Sequence, residues 1–176
     1  MSDTRLLKAL LLQATAMSEA ETDSFLSLWM KTVRLKRNDF LIQKGKTEQY
    51  LYFVNSGALR IYYPTELEEI CVGFAYDNTL VCSFPSFVDN KPSEYAIQAL
   101  KKCELIAIHK TDFQRFLNEN LKFEQFWRQQ LEKVILGRID REIDLLLPEP
   151  EKRLQRLLNR SPHIFQLVPK KYIASY

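Results

Sequence analysis

Side chains able to do covalent or metal chemistry are few and scattered in this sequence. Cys71, Cys82 and Cys103 are an odd number, widely spaced and without a C-x-x-C pair, so neither a structural zinc site nor a disulfide framework fits them. Cys71 and Cys103 fall in strand-like stretches, EEICVGF and KKCELIAI, where a free thiol most often serves as a small buried hydrophobe. The two histidines, His109 and His163, stand 54 positions apart, and His109 closes the apolar run from Leu105 to Ile108. No H-E-x-x-H, G-x-S-x-G, G-x-G-x-x-G or phosphate-loop string occurs, so the chain reads as a non-enzyme.

Charge offers a second kind of chemistry, the binding of phosphates. Lys152, Arg153, Arg156, Arg160, Lys170 and Lys171 crowd the stretch from 152 to 176, which has no Asp or Glu. Six of the 25 basic residues fall there, leaving 19 against 22 acidic residues in positions 1–151, so the net +3 is a mildly acidic body with a basic end. Such an end either faces a polyanion or is a solvated helix face.

Periodicity shows what must position these groups. The 176 residues, 46% hydrophobic and 27% charged, suffice for one domain with a small appendage. No apolar run approaches the roughly 18 residues of a membrane span, and no signal-cleavage site is visible, so a cytoplasmic protein without membrane contact is expected. Two short helices open the chain. Leu6, Leu7, Leu10, Leu11 and Ala14 recur at helical spacing, and Ser18-x-x-Glu21 makes a capping box before Phe25, Leu28 and Trp29.

From Lys31 to about Ala107, runs rich in Val, Ile, Tyr and Phe alternate with turns. Strands are predicted around Val33 and Leu35, at Phe40 to Ile42, Glu69 to Tyr76, Leu80 to Cys82, Tyr95 to Leu100 and Cys103 to His109. Asn55-Ser56-Gly57 is expected to fold Tyr50–Val54 back on Ala58–Tyr63 as a hairpin. Strands so closely spaced predict a jelly-roll barrel or sandwich.

Helical spacing returns at Thr111, with Thr111-x-x-Gln114 as a capping box and Phe113, Phe116 and Leu117 on the buried side. A long helix is predicted from about Asn120 to Leu147, ended by Pro148 and Pro150. Its apolar positions Phe123, Trp127, Leu131, Ile135, Ile139, Ile143 and Leu146 step by four and finally three, widened by Phe126, Val134, Leu136 and Leu147. One barrel needs one such face, so the surplus suggests the same helix of a second copy; the alternative is a lone core helix with exposed apolar residues. Gly137 mid-helix would be tolerated where two backbones approach closely. A further helix spans Glu151 to Asn159, Ile164 to Val168 reads as a hydrophobic connector, and Pro169 opens a last helix through Lys170 and Lys171.

In their order, and in three strings, these elements resemble the Crp/Fnr family of bacterial transcription regulators, in its divergent Bacteroidetes-type branch. The strings are Lys44-Gly45, the run from Tyr50 to Arg60 with its Gly57, and the most specific one, Val168-Pro169-Lys170-Lys171-Tyr172-Ile173-Ala174-Ser175-Tyr176. The resemblance implies an α+β fold, a double-stranded β-helix (jelly-roll) barrel of cyclic nucleotide-binding type flanked by helices. It implies a sensor domain with N-terminal helices at 1–117 and a dimerisation helix at 118–147, with Trp127, Leu131, Val134, Ile135, Ile139 and Ile143 at the contact. Residues 148–176 would start a winged helix-turn-helix in which Lys170 and Lys171 meet DNA. The match stops inside the first helix of that motif, so the recognition helix is absent, and a fragment of a longer protein or a truncated product is expected.

The family's cyclic-nucleotide pocket maps onto the segment from Val81 to Leu100, giving Val81, Cys82, Ser83, Phe84, Ser86, Ser93, Glu94 and Tyr95 as candidate ligand residues. Members that bind cyclic nucleotides pair the phosphate with an Arg and use a Gly-Glu pair; here Ser93 stands for the Arg and Cys82-Ser83 for Gly-Glu. Lys91 is either a substitute point charge or a solvated turn residue. A cyclic nucleotide therefore lacks its usual contacts, and an unknown small-molecule effector or an empty pocket is expected. The closely spaced cysteines of an iron-sulfur member are missing too.

The expected function is a dimeric transcription regulator whose barrel senses a small ligand and couples through the long helix to a DNA-binding region. The alternative is a stand-alone cyclic nucleotide-binding-like ligand or interaction module without DNA contact. A cupin-type metal oxygenase would need about three ligands converging in the barrel, where His109 alone is available.

Overall fold

Strand residues that are apolar on both faces need cover on both faces, and the architecture supplies it. The computed structural model describes residues 3–162 and 164–174. Helices α1 (Arg5–Ala14) and α2 (Glu19–Ser27) precede strands β1 (Lys31–Leu35), β2 (Phe40–Ile42), β3 (Tyr50–Ser56), β4 (Ala58–Pro64), β5 (Glu69–Tyr76) and β6 (Leu80–Val81). Helix α3 (Phe84–Asp89) leads to β7 (Ala96–Ala99) and β8 (Cys103–His109), then to α4 (Lys110–Glu119), α5 (Leu121–Leu146), α6 (Pro150–Arg160), α7 (Ile164–Leu167) and α8 (Lys170–Ala174). The first sheet has the order β1-β8-β3-β6 and the second β2-β7-β4-β5, all pairings antiparallel. This is the flanked jelly roll with a long C-terminal helix.

Inward residues such as Ile42, Tyr52, Val54, Leu59, Ile97 and Leu105 fill the space between the sheets. On the other side of β3 and β8, Leu51, Phe53, Ile106 and Ile108 point out of the first sheet into a second core made by α1, α2, α4 and the start of α5. Rings dominate there. Phe25 lies 4.6 Å from Phe116 and 4.4 Å from Phe123 between ring centroids, with Trp29 edge-on at 5.9 Å. Full burial of such side chains stabilises by roughly 1.5–3 kcal/mol each.

The hairpin expected at Asn55-Ser56-Gly57 is not formed, because β3 and β4 lie in different sheets. β3 pairs with β8 and β6, while β4 pairs with β5 and β7. Gly57, at φ 127°, carries the chain across, and its N–H donates to Asp77 Oδ1 at 2.6 Å. A Cβ there would meet Cys103 Sγ at 2.4 Å, so the crossing needs the glycine for space as well as for its dihedral.

Two local boundaries also differ. His109, still extended, caps α4 by accepting from the Thr111 N–H at 3.3 Å, so the helix starts at Lys110 and Thr111 is not its cap. Residues 164–167, expected as a connector, form a helical turn. The Ser18–Glu21 capping box is present as expected. Asn120 caps α5 by accepting from the Phe123 N–H at 2.9 Å, and the helix ends where Leu147 turns extended before Pro148.

Candidate ligand site

The loop leaving β6 brings three serines inward. Ser83, Ser86 and Ser93 are all buried. The Ser93 hydroxyl donates to Tyr95 O at 2.8 Å, so across the 2.6 Å Oγ–Oγ contact the Ser83 hydroxyl is the donor. Ser86 Oγ donates to Lys91 O at 2.5 Å and accepts from the Glu48 N–H at 2.9 Å. Short side chains with one donor and two lone pairs can close such a network without cavities.

Glu48 is the residue the sequence conceals. It sits in the polar loop between β2 and β3, yet only 2% of its surface is exposed. Its carboxylate accepts from the Ser83 N–H at 3.3 Å and the Tyr50 N–H at 3.2 Å, and it interacts with the Tyr52 hydroxyl. Burial pushes the carboxyl above its ordinary range, and hydrogen bonds from Ser83, Tyr50 and Tyr52 oppose that shift. Burial, followed by the Glu48 charge, also raises the Tyr52 phenol and the Cys82 thiol. Among the described residues no cation forms an ion pair with Glu48. The backbone N–H of Ser83 at the head of the loop is therefore already taken by a carboxyl group of the protein itself.

The other loop positions lie as follows. Val81 is buried between the sheets and Cys82 packs against the core under the helices. Phe84 and Glu94 are exposed. Tyr95 is half-buried, its ring 5.9 Å from that of Tyr63. Glu48 and Tyr52 also line a cleft of about 330 Å³, bounded by β2, the β2–β3 loop and Tyr50. Lys31 Nζ stands 3.9 Å from the centre of the Tyr50 ring at its rim. Burial raises the Cys71 thiol to about 11, which leaves it a thiol at neutral pH. Among the described residues no group of three or more His, Cys, Asp or Glu side chains could hold a metal ion, and no helix is long and apolar enough to cross a membrane.

The helix α5 changes character along its length. Phe123 and Phe126 are buried, and Trp127 and Leu131 are half-buried. Val134, Ile135, Ile139 and Ile143 are 43–58% exposed. The apolar half is nonetheless fixed: Arg138 and Arg141 donate to the carbonyls of Val72 and Cys71 on β5 at 3.1 and 3.2 Å. Asp144 pairs with both Arg156 and Arg160 of α6; burial opposes its charge, and the two guanidiniums hold its carboxyl below the usual range. Lys170 is exposed at the start of α8, and the Lys171 side chain lies outside the described ones.

The profile of the cyclic nucleotide-binding domain family matches residues 32–120. The fold is similar to that of the catabolite activator protein of Thermus thermophilus, at 21% identity and TM-score 0.61, over 74% of this chain and 61% of that one. It is similar to a CooA mutant from Carboxydothermus hydrogenoformans, at 20% identity and TM-score 0.61, over 89% and 95% of the two chains. The sensor domain of the transcriptional regulator DNR from Pseudomonas aeruginosa aligns at 17% identity and TM-score 0.60, over 74% and 91%. The chain spans about three fifths of the length of the catabolite activator protein. No curated protein sequence matches it.

Proposed function

The chain belongs to the cyclic nucleotide-binding domain family, and from that premise we propose that it is the sensor and dimerisation part of a Crp/Fnr-type transcription regulator with a non-nucleotide effector. The observation that carries the regulator reading is the uncovered apolar face of α5. Ile135, Ile139 and Ile143 recur every four residues on a helix held to the barrel by Arg138 and Arg141, so the face is rigid and directed outward. A second copy related by a two-fold axis covers it with the same residues. Residues 148–176 then open the DNA-binding region, with Lys170 and Lys171 on a helix that crosses the phosphate backbone.

The effector reading rests on Glu48. A cyclic phosphate brought to Ser83 would meet a carboxylate already using the local donor, with Ser93 in place of a pairing cation. The residues present do not fit the nucleotide. A ligand acts here by favouring one arrangement of the paired α5 helices over another. Sedimentation equilibrium tests the dimer, and a monomer at micromolar concentration refutes the coupling. Calorimetry with cyclic AMP and cyclic GMP should show nothing tighter than about millimolar, equivalent to ~4 kcal/mol.

A further inference from the structure

The outer face of the second sheet carries an arginine that is buried. Arg60, in the middle of β4, is 4% exposed. Its guanidinium donates to Gln98 Oε1 of β7 at 3.0 and 2.6 Å and pairs with Glu69 Oε2 of β5 at 2.6 Å. Those contacts use the edge of the planar group. Its plane meets two tyrosine rings, Tyr62 of the same strand at 4.1 Å and Tyr172 of α8 at 4.4 Å from the ring centres. Beside the stack, Ala58, Leu100, Val168 and Ile173 form a small apolar cluster. The first turns of the C-terminal region are therefore docked directly on the barrel, by a route that bypasses α5.

We propose that the Tyr62–Arg60–Tyr172 stack is a latch holding α8 on the sensor sheet, and that the serine cluster governs it through β7. The proposal rests on the reading of the barrel as a sensor. Ser93 Oγ bonds both the N–H and the carbonyl of Tyr95, which leads directly into β7. Gln98 lies five residues beyond Ser93, within β7, and stands opposite Arg60 in the ladder. Displacing the Ser83–Ser93 contact therefore moves the strand that presents Gln98 to the guanidinium. Once Gln98 no longer fixes its edge, Glu69 alone holds the guanidinium and can turn it toward β5, so that Arg60 loses the orientation that lets Tyr172 stack, and α8 is released.

Amide hydrogen exchange of residues 164–174 in the full chain tests both parts. Tyr172→Leu should speed exchange there about tenfold, whereas Tyr172→Phe, which keeps the ring face, stays within about twofold of the parent. Arg60→Met combined with Tyr172→Leu should add little to either change alone, because both remove one contact. Ser93→Ala should raise the same rates by about threefold or more, with the exchange of α1 and α2 unchanged. Equal effects of Tyr172→Leu and Tyr172→Phe, or fully additive effects of Arg60→Met and Tyr172→Leu, overturn the latch. Parental exchange in Ser93→Ala overturns control through β7. If Arg60→Met does not fold, the two Tyr172 variants decide alone, since Tyr172 lies outside the barrel core. The readout needs neither DNA nor a second copy, so a monomer in sedimentation refutes the regulator reading and leaves the latch standing.

Discussion

The two sheets are covered on their outer faces in opposite ways. Over the first lie α1, α2, α4 and the start of α5, joined by a continuous set of rings around Phe25, Phe113 and Phe123. Over the second lie α7 and α8, held by four small or aliphatic buried residues and by a buried arginine. Ring packing is non-directional in its driving force and lost only with the whole core. A cation held by one amide, one carboxylate and two rings is directional, and it can be released by turning one partner. The first cover is thus part of the folding unit, whereas the second is an attachment with a stability of its own.

The largest expected effect tests the first cover. Phe25→Ala should cost about 3–5 kcal/mol and shift the whole denaturant transition, since its ring touches three others. Ile173→Ala should leave that transition nearly in place and loosen only residues 164–174. Coincident shifts of similar size in both variants would erase the distinction between the covers. Next in size is Ile139→Asp, on a residue 48% exposed in the single chain. It should weaken self-association at least about a hundredfold, ~2.7 kcal/mol, because a two-fold axis places the new charges together. Its monomer melt should match the parent's; a damaged monomer would show that α5 packs inward there.

Legibility in the sequence follows the same division. Elements set by local periodicity, the strands from Val33 to His109 and the helix from Asn120 to Leu147, were visible, because burial of one or both faces imprints a repeat on neighbouring residues. Strand partners were not. Asn55-Ser56-Gly57 has the composition of a hairpin turn, and nothing local distinguishes a turn from a crossing to the opposite sheet; the deciding contacts, with Asp77 and Cys103, are distant in sequence. The three serines of the loop could be named from the resemblance, but Glu48 could not. Its partners Ser83 and Ser86 stand 35 and 38 positions away, and in Thr47-Glu48-Gln49 it looks like any solvated turn residue. Arg60 left one faint signal, a charge at an outward strand position two residues before a tyrosine, in Leu59-Arg60-Ile61-Tyr62.

Acid should separate the first cover from α6, whose Leu157 packs against the second. Asp144, holding Arg156 and Arg160, has its carboxyl lowered in the fold, so its contribution is present above the unfolded value and disappears as pH falls through the folded one, below about pH 4. Opening of α6, read as exchange relative to the intrinsic amide rate, should therefore increase in the parent as pH falls below about 4. In Asp144→Asn that ratio should already be high at pH 5 and nearly flat. Glu21 belongs to the first cover, and hydrogen bonds from Ser18 and Lys122 hold its carboxyl down to about 2. Its contribution is lost on the same side of the scale, yet it anchors only the edge of a ring-packed face. The smallest effect follows from that position. Ser18→Ala removes one cap hydrogen bond and should cost about 1 kcal/mol in the global melt without freeing α2. If it instead raised α2 exchange as strongly as Asp144→Asn raises that of α6, then the first cover, too, would be an attachment pinned by polar contacts rather than part of the core.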